Sequence, residues 1–274
     1  MSENARLYYP TDLSDSQWAV IKPLLPEPKS GAGKSGRPAC DLRHIVNAIL
    51  YVVKSGCQWR MVPQEFGPWS TIYRYFNSWS RATVWQGILE ALNMKERSRQ
   101  CRHPEPTAGC IDSQSVKAAM QATDDIGFDG NKKVKGRKRH VLTDTLGLIL
   151  CVTVTAANTD DRQGLRSLLD KWFIKGVCRL RKLWVDAGYT SAALQQWVRD
   201  LKHTHKIDLE VTDHQGKGFQ VVPRRWVVER AFAWLIGYRR HSKDYEVLTR
   251  NSEAMIQIAM ISILLRRLGR LQNS

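Results

Sequence analysis

The feature that most constrains this chain is a change of pattern near residue 106. Before it, apolar residues recur at helical spacing; after it, β-branched runs arrive in succession. In the first part, Ser14-Asp15-Ser16-Gln17 fits a capping box, and Trp18, Ile21, Leu24 and Leu25 follow on one face until Pro26 and Pro28 end the pattern. Residues 26–38 form a Gly-, Pro- and Ser-rich connection. A second helix follows Asp41, with Ile45, Ala48, Ile49, Val52 and Val53 on one face and Gly56 as its C-cap. Two more begin near residues 70 and 83, carrying Ile72, Tyr73, Phe76 and Trp79, then Trp85, Ile88, Leu89 and Leu92. The charged stretch 95–106 ends in prolines and marks a boundary between a helical region, 1–100, and a second domain, 107–274.

Beyond the boundary, 108–113 is a short apolar run, 138–144 alternates, and 148–155 is continuously β-branched. A helix over 161–172, a strand over 180–185, a helix over 191–201 and a strand over 207–211 follow, and from 223 the chain reads as helical almost to its end. Three strands, helix, strand, helix, strand, helix is the order of the ribonuclease H-like fold. The expected class is therefore α/β, a mixed-sheet domain behind an all-helical region. The apolar stretch 255–265 is expected to dock against the sheet.

Charge narrows the function. Lys and Arg number 42 against 26 Asp and Glu, a formal excess of +16 that suits a polyanion such as nucleic acid or an anionic membrane. The membrane reading fails. The N-terminus is polar, and the longest apolar stretch, 254–265, is interrupted by Gln257 and Ser262 and too short to span about 30 Å of hydrocarbon. Six single cysteines without a C-x-x-C pair argue against a zinc knuckle and read as reduced packing thiols. The expectation is a cytoplasmic, nucleoid-associated protein.

With so few acids, those at strand ends stand out. Asp112 closes the first predicted strand and Asp186 the fourth, 74 positions later. In this fold those strands are parallel neighbours, so both carboxylates emerge side by side. Glu229 lies 43 residues further on, on the helix after Pro223. Gathered carboxylates repel unless a divalent cation reverses the balance. Oxygen-only ligation suits Mg²⁺, with Mn²⁺ as the alternative, and two ions about 3.5–4 Å apart can clamp both oxygens of an in-line phosphoryl transfer. The competing readings are a strand-end cap for each aspartate and a helical ion pair with Arg225 or Arg230 for Glu229.

Several segments carry a family resemblance: Gly36-Arg37-Pro38, CQWRMVP (57–63), PWSTIYRYF (68–76), Asp112-Ser113-Gln114-Ser115-Val116-Lys117, GRKRHVLTDTLGL (136–148), Trp184-Val185-Asp186-Ala187-Gly188-Tyr189 and RRWVVERAFAWL (224–235). Together, and in order along nearly the whole chain, they resemble transposases of the insertion-sequence-five family, which carry a DDE catalytic triad. The resemblance implies a ribonuclease H-like catalytic domain behind a helical DNA-binding region, with Asp112, Asp186 and Glu229 as the metal-binding triad. Arg225 occupies the family's arginine position four before the glutamate, whereas Val222 and Ile236 stand where the wider group often has Tyr and a Lys or Arg.

The remaining assignments follow from charge and spacing. Lys132, Lys133, Lys135, Arg137, Lys138 and Arg139 form a run expected to guide DNA phosphates, against the alternative of a solvated hairpin. Arg225 and Arg239 extend it. Ser70, Thr71, Arg74 and Asn77 are expected to face a DNA groove in a helix-turn-helix variant, with packing or dimerisation as the alternative. Asp160 and Asp161 read as a helix cap. Asp124, Asp125, Asp129 and Asp144 read as turn residues, and His140 as a surface or DNA-contacting histidine. The expected function is a DDE transposase that binds terminal inverted repeats of duplex DNA, hydrolyses a phosphodiester at each end and joins the freed 3′-hydroxyl to a target, as a homodimer on DNA. The alternatives are a metal-dependent nuclease without strand transfer and a transposase-derived DNA-binding regulator.

Overall fold

The computed structural model describes residues 9–27, 40–174, 179–186, 196–197, 199–200, 205–212 and 226–270. The chain packs as two units: Met1–Glu96 with Tyr238–His241 and Ala254–Ser274, and Arg97–Gly237 with Ser242–Glu253.

The first unit is helical. Helix α1 (Asp15–Ile21) opens with the expected capping box: the Gln17 amide donates to Ser14 Oγ at 3.2 Å and the Ser14 amide to Gln17 Oε1 at 3.1 Å. Helix α2 (Leu42–Ser55) begins at Asp41, which accepts the Arg43 amide, and stops at Gly56 with φ of 74°. A side chain there would be strained by that φ and would lie 2.9 Å from Arg239 Cβ. Two short 3-10 turns (Trp59–Met61 and Gln64–Phe66) lead into α3 (Trp69–Arg81) and α4 (Val84–Arg99). Tyr9, Tyr51 and Phe66 form an aromatic triangle, and the Trp79 and Trp85 rings meet edge to face at 5.3 Å, joining α3 to α4.

The second unit is built on one mixed sheet of β1 (Ala108–Lys117), β2 (Gly127–Asp129), β3 (Val134–Asp144), β4 (Ile149–Ala156), β5 (Lys182–Asp186) and β6 (Asp208–Thr212). The order is β2-β3-β1-β5-β6, with β4 also paired to β3. β3 runs antiparallel to β1, β2 and β4, whereas β1–β5 and β5–β6 are parallel. Helix α5 (Asp161–Phe173) starts at Asp160, whose carboxylate accepts the Arg162 amide at 2.8 Å, and lays Leu165, Leu168 and Leu169 against Ile111, Leu142, Leu150, Leu183 and Val185 of the sheet. Each such buried side chain contributes about 1.5–3 kcal/mol relative to exposure. Helix α6 (Trp226–Ile236) packs on β1 and β3.

The final helix, α7 (Thr249–Gly269), differs from expectation. From Ala254 onward it belongs to the helical unit, where Gln257 donates to Gln86 at 2.9 Å and Arg267 lies 3.7 Å from Glu96. A helix apolar on all sides has no stripe that names its partner, which is why its spacing misled. Strand β1 is also longer than its apolar run, because 113–117 are held by backbone pairing to 136–140 of β3 rather than by hydrophobicity. Asp112 therefore sits inside a strand and not at its end. The predicted helix over 191–201 lies mostly outside the described residues; residues 196–197 and 199–200 are helical. Of the cysteines, Cys110 and Cys151 are buried, whereas Cys40 and Cys101 are exposed, so only part of the expected packing role is seen.

Candidate active site

Register decides the position of the two aspartates. The parallel pairs of β1 and β5 are Ala108 with Lys182, Gly109 with Leu183 and Cys110 with Trp184, a constant offset of 74 positions. The paired stretch ends at Cys110 and Trp184, two residues short of Asp112 and Asp186, whose own spacing equals that offset. Neighbouring parallel strands lie about 4.8 Å apart, and residues at one level share a face. Ile111, Leu183 and Val185 point into the α5 core, so Asp112 and Asp186, one position away on each strand, belong to the opposite face. Both are half-buried, and Asp112 Oδ1 accepts the Ser113 amide at 2.7 Å.

Helix α6 carries Glu229 on its exposed side. Val227, Val228, Ala231, Phe232 and Leu235 bury its other side. Arg230 tethers it, donating to the Leu146 carbonyl at 2.9 Å while its guanidinium covers the Trp226 and Trp234 rings. The β3–β4 turn permits this approach through Gly147, whose φ is 75° and where a Cβ would meet the Val227 carbonyl at 3.1 Å. Among the described residues, no three His, Cys, Asp or Glu side chains converge closely enough to share a metal ion. The structure thus puts Asp112 and Asp186 on neighbouring parallel strands, each two residues past their last paired position, and Glu229 on the helix packed against β1, without gathering all three. The donor set fits a hard divalent cation: carboxylate oxygens only, two of the carboxylates on neighbouring parallel strands.

Beside this pair runs a network that sequence reasoning missed. Asp160 is the cap, as expected, but Asp161 is not. Its Oδ1 accepts the Ser113 hydroxyl at 2.8 Å and lies 3.2 Å from Lys138 Nζ, tying the start of α5 to β1 one residue after Asp112. No local signal announces a contact between residues 48 positions apart.

The basic run divides. Lys132, Lys133 and Lys135 are exposed, as expected of phosphate contacts. Arg137, Lys138 and Arg139 are buried, which corrects their assignment to DNA. They enter β3, a strand covered on both edges by β1 and β4. Arg137 is 0% exposed: its guanidinium donates to Asp244 Oδ1 at 3.0 Å, to Ser252 Oγ at 2.9 Å and to the carbonyls of Glu246, Val247 and Asp124. Lys138 donates to the Thr159 carbonyl at 2.8 Å, and burial pulls the Arg139 guanidinium down to about 10. His140 is buried too, correcting its surface reading; burial holds it at about 4, and its Nε2 meets Thr155 Oγ1 at 3.0 Å. Asp129 and Asp144 do bind turn amides, as expected, but both are buried, and Asp144 is paired with Arg97.

In the helical unit, Ser70 and Arg74 of α3 are exposed and Thr71 and Asn77 half-buried, while Ile72, Phe76 and Trp79 point inward. Arg239 is exposed; Arg225 lies outside the described residues.

Comparison with known proteins decides the family. A family model described as "Transposase DDE domain" matches residues 103–264, more than half of the chain. The chain belongs to the DDE transposases of insertion sequences. A second model, "Putative transposase of IS4/5 family", matches residues 13–89 of this transposase. Among curated relatives, the "Insertion element IS402 uncharacterized 16.2 kDa protein" of Burkholderia cepacia is 35% identical over 109 residues, covering 39% of this chain and 73% of the relative. The "Putative transposase for insertion sequence element IS402" of the same organism is 36% identical over 111 residues, 38% of this chain and about half (51%) of that relative. The DDE domain implies a ribonuclease H-like fold for the mixed sheet, a nucleic-acid-processing activity and a requirement for divalent metal. No helix among the described residues is long and apolar enough to cross a membrane.

Proposed function

We propose that this transposase binds the terminal inverted repeats of its own element, hydrolyses a phosphodiester at each end and transfers the freed 3′-hydroxyl to target DNA, with Asp112, Asp186 and Glu229 as its metal-binding triad. The observation that carries the reading is the 74-position offset of the parallel β1–β5 ladder, which equals the spacing of Asp112 and Asp186 two residues beyond its last pair. Two Mg²⁺ ions held there would supply Lewis-acid activation of the nucleophile and stabilisation of the leaving oxygen. The chain's own part is positional. Strands β1 and β5 fix the two aspartates, Arg230 anchors the helix that presents Glu229, and Asp161 holds Ser113 and so the backbone beside Asp112. Lys132, Lys133 and Lys135 neutralise phosphates, with Arg239 and Arg225 extending that contact. Ser70, Thr71, Arg74 and Asn77 read bases from the accessible side of α3. In this reading residues 1–100 form the DNA-binding region, 107–274 the catalytic domain, and the active species is a homodimer assembled on DNA in the nucleoid.

The test is a cleavage and joining assay with the full chain on duplexes carrying the element's ends, in Mg²⁺ or Mn²⁺. Nicked ends and joined products are expected, and neither without metal. Cleavage without joining would make the protein a nuclease, and binding without either would make it a regulator.

A further inference from the structure

The geometry points to a second nucleic-acid contact on this transposase: an open groove at the far end of β1 that takes an unpaired DNA strand, with Phe128 as the surface on which a base stacks. The inference rests on the DNA reading above, shares Lys133 and Lys135 with its phosphate contact, and adds Phe128, Lys117 and Lys243 as a place for single-stranded rather than duplex DNA.

The groove, of about 650 Å³, lies among Lys117, Met120, Phe128, Lys133, Lys135 and Lys243. That volume falls within the range of pockets that enclose small molecules, which run from about 300 to 1,000 Å³. Its lining contains four lysines and no acid. Two of its apolar members are left open to water: Phe128 is 57% exposed and Met120 99%. Lysine stems can cover part of such a ring, yet more than half of Phe128 is left open. Cations tracking a backbone beside an aromatic face are the combination by which proteins hold unpaired strands, because a base offers its flat face only when it is out of a duplex. The β2–β3 register places Phe128 directly opposite Lys135, so a stacked base and its phosphate would meet neighbouring side chains.

Beside the groove, β1 and β3 pack backbone to backbone. Gly136 faces Lys117 in the β1–β3 ladder, and a Cβ there would fall 2.0 Å from the Val116 carbonyl. Lys133 sits in the preceding turn with φ of 53°. Lys117 lies five residues beyond Asp112 on the same strand, roughly 17 Å at 3.3 Å per residue. A duplex strand rises about 3.4 Å per nucleotide and an unpaired one spans more, so roughly five nucleotides or fewer cover that distance. A strand running from the aspartate pair along β1 would therefore reach the ring within a few nucleotides of the reacting phosphate. An acidic peptide would satisfy the lysines but would leave Phe128 without a flat partner.

The experiment measures binding of the full chain to a fluorescent oligothymidylate and, in parallel, to a duplex of the element's end. Phe128→Ala should weaken oligothymidylate binding by about 5- to 150-fold and leave duplex affinity unchanged. Phe128→Trp should keep wild-type affinity for both. Lys117→Gln and Lys243→Gln should each lower the salt slope on the single strand by about 0.7. An unchanged Phe128→Ala variant, or one equally weakened on both DNAs, overturns the inference. Displacement of oligothymidylate by polyglutamate, with polyglutamate binding equally dependent on Phe128, overturns it in favour of an acidic peptide. A wild-type protein that binds the duplex but not the single strand refutes this groove alone. One that binds neither refutes the DNA reading beneath it.

Discussion

Two pairs of aspartates in the sheet unit are used in opposite ways. Asp144 and Asp244 are buried, and each faces an arginine, Arg97 and Arg137. Asp112 and Asp186 are half-buried on neighbouring parallel strands, each two residues past the last paired position. In the first pair the cation is part of the chain, so the charges are spent on structure: Arg137 alone gathers Asp244, Ser252 and three carbonyls around one guanidinium. In the second, two half-buried carboxylates stand on neighbouring parallel strands, the pair to which the proposed function assigns a divalent cation. On the proposed function, the same residue type serves the fold in one pair and the chemistry in the other.

The largest expected effect comes from the second pair. Asp112→Ala, Asp186→Ala and Glu229→Ala should each reduce cleavage and joining by on the order of a thousandfold or more, about 4 kcal/mol of barrier, with end binding retained. A variant that kept wild-type rates in Mg²⁺ would remove its residue from the triad.

Breaking the first pair should cost stability instead. Arg137→Met leaves Asp244 buried without its cation, and such losses run to about 3–5 kcal/mol. Urea unfolding measures it; a loss below about 1 kcal/mol would show that Asp244 finds water or another donor.

Smaller effects separate the DNA contacts. Substituting Ser70, Thr71, Arg74 or Asn77 should cost about 1–3 kcal/mol on the terminal repeat and much less on random duplex. Equal losses on both would return α3 to a packing or dimerisation role. Replacing Lys132, Lys133 and Lys135 with Gln should weaken all duplexes alike and flatten the log K versus log salt slope by roughly 2.7, whereas Lys138→Gln, buried against Thr159, should leave the slope unmoved.

The smallest is the cap. Asp160→Ala should cost about 1 kcal/mol near neutral pH with chemistry intact. The hydrogen bonds from the Arg162 side chain and amide hold the Asp160 carboxyl down at about 2. A depressed carboxylate stabilises the fold above its unfolded value of about 3.9, and that contribution is lost as pH falls through 2. The gap between variant and wild type should therefore close on acidification, as thermal melts across that window would show.

These contrasts also mark what could be read without coordinates. Local rules found the Ser14 capping box, the Asp41 and Gly56 ends of α2 and the Asp160 cap, because each is settled within a few residues. The element order placed Asp112 and Asp186 on neighbouring parallel strands. Burial of Arg137 was not legible, because its carboxylate partner lies 107 positions away and a basic run looks the same whether solvated or enclosed. Nor was Asp161, whose partner Ser113 belongs to another element. The full length of β1 was hidden for a different reason: residues 113–117 are polar, and a strand held by its neighbours' backbone leaves no hydrophobic trace.

The central claim is that Asp112 and Asp186 together hold divalent metal. Electron paramagnetic resonance of Mn²⁺ titrated into the full chain tests it most directly, with wild type set beside Asp112→Asn, Asp186→Asn and the cap control Asp160→Asn. The account predicts bound Mn²⁺ in the wild type and the Asp160 variant, and its loss in both of the others. Equal Mn²⁺ binding in all four proteins would contradict it.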